Sequence, residues 1–199
     1  MARQGMKLRG LYAITPEAPD VIEKARQAME GGIALLQYRR SRRDVHEARE
    51  LVALARRYAV PVIVNDDVEL ALEVGAAGAH LGRDDGDFAF ARKKMKTKLL
   101  GASCYNDASL ARRAVSLGAD YVAFGSVFAS PTKPAAVRAP LELFSETRLG
   151  VPLCAIGGVT LENAPQLIAA GADLLAVISD IFDAPDIARR AAQYRELFT

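Results

Sequence analysis

The sequence is poor in the residues that reactive centres most often use. It holds two cysteines and two histidines in 199 residues. Cys104 and Cys154 each sit inside an apolar, strand-like stretch, which predicts two buried thiols. No Cys/His grouping has zinc spacing, and no Ser, His and Asp are arranged as a triad. His46 is expected on an exposed helix, and His80 inside a strand as a buried, hydrogen-bonded ring rather than a base. No apolar run is long enough to span a bilayer, and the basic start MARQGMKLRG leads into no signal-type stretch. A cytoplasmic protein with no membrane partner is expected. The formal net charge is only +2, which gives no electrostatic case for nucleic-acid binding. The basic residues are scattered apart from Arg39, Arg40, Arg42 and Arg43.

What is present is a repeat. A helical pattern ends at glycine and an apolar run follows within a few residues, at Gly32, Gly75, Gly118 and Gly171, with spacings of 43, 43 and 53 residues. Glycine adopts the left-handed conformation at no steric cost, which suits a short helix-to-strand turn. Each spacing fits two strand-helix units, and four further apolar runs supply the other strands. The predicted strands are 8–15, 34–40, 61–66, 78–83, 98–104, 121–127, 152–158 and 174–179. Helical periodicity marks 21–31, 44–58 and 186–198. Alternating strands and helices imply parallel pairing with right-handed crossovers. Eight units without a composition break predict an α/β fold, a single (β/α)8 TIM barrel domain over 1–199. An open doubly wound sheet usually carries a glycine-rich first turn, and the turn here reads Thr15-Pro16-Glu17.

In such a barrel the site lies at the C-terminal ends of the strands. Those ends are polar: Gln37 and Arg39, Asn65 and Asp66, Arg83 to Asp85, Ser103, Ser130 to Lys133, Gly157 and Gly158, and Ser179. The opposite rim is read as Gly-Ala and Pro turns with no comparable set.

Three features carry chemistry. The segment from Cys154 to Ala164 places two glycines at a strand end and a helix start at Thr160. Their amides suit an anion, though the same residues fit a plain turn with a helix cap; the usual phosphate site after strands seven and eight favours the anion. The loop Phe128-Ala-Ser-Pro-Thr-Lys-Pro combines two prolines, two hydroxyls and a lysine. It is either a working loop or plain surface. Finally, Asp66 and Asp85 end neighbouring strands and could share a Mg²⁺. Each also fits a helix cap, since Glu69 follows Asp66 by three residues and Asp85 precedes a helix.

The stretches LYAIT, LLQYR, VIVNDDVELAL, GAHLGRDD, GADYVAFGSVFASPTK, AIGGVT and GADLLAVIS occur in the order and spacing found in thiamine phosphate synthases. The resemblance covers nearly the whole chain. It implies a transferase that joins hydroxymethylpyrimidine diphosphate to a thiazole phosphate, with Mg²⁺ as cofactor. By matching position, Gln37, Arg39, Asn65 and Lys133 would hold the diphosphate, and Asp66 and Asp85 the metal. Ser103 would contact the pyrimidine end. Ser130, Thr132, Gly158, Ile178 and Ser179 would hold the thiazole phosphate. Lys133, Arg39 and Ser103 are the residues so implied in catalysis.

The sequence departs from the family pattern at three positions. Ser41 stands where a lysine of the diphosphate set is usual, Arg83 where a glutamine is, and Ser130 where a threonine is. Arg83, Arg42 or Arg43 is expected to replace part of the lost charge. A thiazole tautomerase-like paralogue and a non-catalytic thiamine-phosphate binding protein are the alternatives. The former uses a histidine near the end of strand five, where this chain reads Ser103-Cys104-Tyr105. The partners expected are small-molecule substrates, with a homo-oligomer left open.

Overall fold

In the computed structural model, which describes residues 8–129 and 137–199, eight strands pair in parallel, each with the next, and the last closes on the first. They are β1 (Gly10–Ile14), β2 (Leu35–Tyr38), β3 (Val62–Asn65), β4 (Gly78–Leu81), β5 (Leu99–Tyr105), β6 (Tyr121–Gly125), β7 (Leu153–Ile156) and β8 (Leu174–Val177). The crossovers carry α1 (Val21–Glu30), α2 (Val45–Arg57), α3 (Val68–Glu73), α4 (Phe88–Met95), α5 (Ala108–Ser116), α6 (Glu142–Glu146) and α7 (Ala164–Ala170). After β8 come α8 (Ser179–Phe182) and α9 (Ile187–Glu196). Among the described residues no helix is long and apolar enough to cross a membrane.

Side chains alternate across a strand, so every strand feeds two separate cores. Tyr12, Ile14, Leu35, Ile63, Tyr121 and Leu174 fill the barrel interior. Leu11, Leu36, Val62 and Val64 face outward and pack with Ala25, Ala48 and Leu51 of the helices. Full burial of one leucine such as Leu51 contributes on the order of 2 kcal/mol. Both cysteines are buried free thiols, His46 is exposed on α2, and His80 is buried in β4.

Most strands are shorter than expected at their C-terminal ends. Pairing stops where the polar rim residues begin, as at Arg39 and Gly82. The helix expected from Thr160 begins instead at Ala164. Thr160 heads a turn in which its amide donates to Asn163 Oδ1 at 2.9 Å and its hydroxyl accepts from the Asn163 amide at 3.3 Å. The opposite rim is also less bare than expected. Asp120 and Asp173, in two equivalent Gly-Ala-Asp turns, accept from the amides of Leu100 at 2.8 Å and Leu153 at 3.0 Å. They clamp neighbouring strands, which is a stability role in keeping with that face of the barrel.

Candidate active site at the C-terminal rim

The ends of β3 and β4 bring two carboxylates together. Asn65 closes β3 and donates through Nδ2 to Asp66 Oδ2 at 2.6 Å. Asp66 has a left-handed backbone (φ 62°), and its amide donates to the His80 carbonyl at 2.8 Å. That turn carries its carboxyl group to within hydrogen-bonding reach of Asp85. Asp85 Oδ2 in turn accepts from the Gly82 amide at 2.6 Å.

Neither residue is the cap of its helix. The cap of α3 is Asp67, which accepts from the Leu70 amide at 2.7 Å, and the cap of α4 is Asp87, which accepts from Ala89 at 2.8 Å. Lost hydration and then the hydrogen bond and charge of Asp85 push the Asp66 carboxyl up to about 6, against the pull of the Arg39 cation and Asn65. A divalent cation shared by two such close carboxyl groups would favour their ionised forms. Among the described residues no group of three or more Asp, Glu, His or Cys gathers. Two carboxylates without nitrogen or sulfur ligands suit Mg²⁺, which keeps waters and takes its remaining ligands from substrate phosphate.

Arg39 follows β2 and is fixed through its backbone. Its amide donates to Thr15 Oγ1 at 2.9 Å, and its carbonyl accepts from the same hydroxyl at 3.1 Å. Arg40 is spent on structure: it pairs with Glu47 at 2.7 Å and donates to the Pro16 and Ala18 carbonyls at 2.7 and 2.8 Å. Ser41 is exposed, and its amide donates to the Glu17 carboxylate. Arg43 pairs with Glu73 at 2.8 Å and with Asp67 at 3.4 Å. Arg83 stacks over the Tyr105 ring at 4.8 Å. Arg42 lines a cleft of about 300 Å³ with Asn65 and Asp66 and has no ion pair among the described residues.

Below this rim the barrel floor is polar along one line. Gln37 Nε2 donates to Tyr12 Oη at 2.8 Å, and Tyr12 Oη lies 2.8 Å from Tyr121 Oη. His80 spans Tyr121 Oη at 3.0 Å through Nδ1 and Ser103 Oγ at 2.9 Å through Nε2. Burial lowers the His80 ring to about 4, against the opposing charge of Asp85, so it is neutral. Burial also keeps both tyrosines protonated. Gln37 and Ser103, expected as separate contacts, are the two ends of one buried chain.

On the far side, Gly157 (φ 99°) and Gly158 (φ 65°) back directly onto the segment after β6. A methyl group on Gly158 would overlap the Ala129 carbonyl, so both conformation and space demand glycine. Ile178 and Ser179 stand at the junction of β8 and α8. Asp180 anchors this corner: it accepts from the Leu161 amide at 3.2 Å and from Tyr194 Oη at 2.8 Å, and pairs with Arg190 at 3.0 Å. Ser130, Thr132 and Lys133 lie outside the described residues.

The family model described as thiamine monophosphate synthase matches residues 11–181. The chain belongs to the thiamine monophosphate synthase family. It is 56% identical to the thiamine-phosphate synthase of Aromatoleum aromaticum, over 96% of this chain and 97% of that one. It is 50% identical to that of Methylobacillus flagellatus, over 96% of each. The solved thiamine phosphate pyrophosphorylase of Pyrococcus furiosus superposes with a TM-score of 0.85 at 32% identity, covering 96% of both chains.

Tyr12, Tyr121 and Asp180 are the site-supporting residues that sequence reasoning passes over. A signal for the tyrosines exists: they fall on interior-facing positions of strands whose other interior residues are aliphatic or small. Asp180 gives none, because its partners come from β7–α7 and α9.

Proposed function

We propose that this rim joins hydroxymethylpyrimidine diphosphate to a thiazole phosphate, giving thiamine phosphate and pyrophosphate, within one barrel domain formed by residues 1–199. The Asp66–Asp85 pair, relieved of capping and set beside the Arg39 cation, carries the reading. Relatives named for this synthesis at 50% identity and above support it over a thiazole tautomerase-like or non-catalytic protein.

The bond from the pyrimidine methylene carbon to the diphosphate oxygen breaks, and pyrophosphate keeps the electron pair. The thiazole nitrogen lone pair forms the new carbon–nitrogen bond. Asp66 and Asp85 would hold Mg²⁺, which when bound would supply charge neutralisation for the departing pyrophosphate. Arg39 and Lys133 hold the same oxygens, and Asn65 fixes Asp66. Gln37, expected with the diphosphate, is hydrogen-bonded to Tyr12 in the floor and is assigned instead, with Ser103, to orient the pyrimidine from below. Gly158 and Ile178 offer backbone amides, and Ser130, Thr132 and Ser179 hydroxyls, to the thiazole phosphate. The chemistry is ionisation and positioning rather than proton abstraction, which agrees with the placement of His80 in the floor. Arg42 supplies the cation that Ser41 lacks, because Arg43 is held by Asp67 and Glu73 while Arg83 rests on Tyr105.

The test is a pyrophosphate-release assay. Release that requires both substrates and Mg²⁺, one pyrophosphate per thiamine phosphate, is the expected result. Release without the thiazole phosphate, or none from folded protein, contradicts the reading.

A further inference from the structure

The five polar groups of the floor form a chain in which each member has few hydrogens to give. Gln37 donates to Tyr12. Either tyrosine could donate in the Tyr12–Tyr121 contact, but with Gln37 donating to Tyr12, the arrangement that gives each tyrosyl hydrogen an acceptor within the chain has Tyr12 donating to Tyr121 and Tyr121 to His80 Nδ1. A neutral imidazole has one N–H, which then sits on Nε2 and donates to Ser103 Oγ. The Ser103 hydrogen is left to point elsewhere, and Ser103 is half-buried at the rim. At the other end the hydrogen bond to Tyr12 uses Gln37 Nε2, which leaves Gln37 Oε1 as an acceptor. With both tyrosyl hydrogens kept within the chain, reversal of one bond reverses the rest.

We propose that Tyr12, Tyr121 and His80 are positioning residues: they form a one-way hydrogen-bond relay that couples the polarity of Gln37 to that of Ser103, so that the floor presents an acceptor on the β2 side and a donor on the β5 side.

The packing is specific to this relay. Tyr121 meets Tyr12 edge-on, with ring centroids 5.8 Å apart, and lies 5.5 Å from the His80 ring. Gly101 leaves the space: a methyl group there would overlap the Tyr121 ring and press on His80 Nδ1. None of the relay's hydrogen-bond partners is a carboxylate. An aminopyrimidine meets the floor in kind, its amino group donating to Gln37 and a ring nitrogen accepting from Ser103. Its 4-oxo analogue inverts that edge, with an oxygen acceptor and a ring N–H donor. This ligand assignment rests on the synthase reading; the direction of the relay does not.

Two measurements test the proposal. The first is nitrogen NMR of the ligand-free full chain carrying ¹⁵N-histidine; only two histidines are present, and His80→Gln assigns the signals. A bare Nδ1 and protonated Nε2 on His80 is expected, and the opposite tautomer overturns the relay as drawn. The second compares kcat/KM for the 4-amino and 4-oxo pyrimidine diphosphates. The wild type is expected to favour the amino form by about 100-fold. Tyr121→Phe and Tyr12→Phe are each expected to cut that ratio about tenfold while leaving KM for the thiazole phosphate unchanged. An unchanged ratio in a folded variant overturns the coupling. If neither diphosphate is turned over, the synthase reading fails, and the His80 tautomer still decides the relay.

Discussion

Asp66 concentrates the chemistry of the site in one carboxyl group. Its pKa, raised to about 6 from an ordinary 3.8, would make the proposed metal binding pH-dependent, because the ligand must be ionised. Affinity for Mg²⁺, or for Mn²⁺ as a spectroscopic probe, is expected to hold above pH 7 and to fall as pH drops through about 6. The stability linkage has the opposite sense. A carboxyl whose folded pKa lies above its unfolded value favours the folded state at low pH, and that benefit disappears as pH rises through the folded pKa. Without metal, Asp66→Asn is therefore expected to match the wild type near pH 4 and to melt higher near pH 7.5. A variant that melts lower at both would show that the acid pair is not strained. Arg42→Ala is expected to raise KM for the pyrimidine diphosphate about tenfold, the loss of one charge-assisted contact, while Arg83→Ala leaves it nearly unchanged. A raised KM in Arg83→Ala with none in Arg42→Ala would move the missing cation from Arg42 to Arg83.

The short elements after β3 and β4 separate two roles that look identical in a string of aspartates. Asp66-Asp67 and Asp84-Asp85-Gly86-Asp87 each offer several caps, and spacing alone does not choose among them. The structure gives capping to Asp67 and Asp87 because the left-handed turn at Asp66 directs its side chain to Asp85 instead. Asp67→Ala is thus expected to lower stability by about 1 kcal/mol with metal affinity kept, and calorimetry on both properties checks it. The corner at β7–α7 was legible as two glycines but not as a packing constraint, since the neighbours that demand them, Ser126 for Gly157 and Ala129 for Gly158, are distant in sequence. Gly158→Ala is expected to cost about 2 kcal/mol from its positive φ and the clash together, with a raised KM for the thiazole phosphate. A melt unchanged from wild type would show that the corner has room.

For the whole molecule, the glycine-marked repeat was enough to read eight strand-helix units and a closed barrel, because patterning and short connections act locally. The rim residues were legible for the same reason: strand ends are visible in sequence. What was not legible depends on closure. Tyr12 on β1 meets Tyr121 on β6, and Gln37 on β2 is joined to Ser103 on β5, only once the barrel brings distant strands around one interior. Closure also sets the acid pair of β3 and β4 across the barrel from the glycine corner of β7 and β8, as the proposed two-substrate reaction requires. The measurement that tests this most directly is thiamine phosphate formation by wild type, Asp66→Ala and Asp67→Ala, side by side, with hydroxymethylpyrimidine diphosphate, thiazole phosphate and Mg²⁺. Product from wild type and Asp67→Ala, with at least about a 1,000-fold loss in Asp66→Ala, is the predicted result. Full turnover by folded Asp66→Ala would contradict the account.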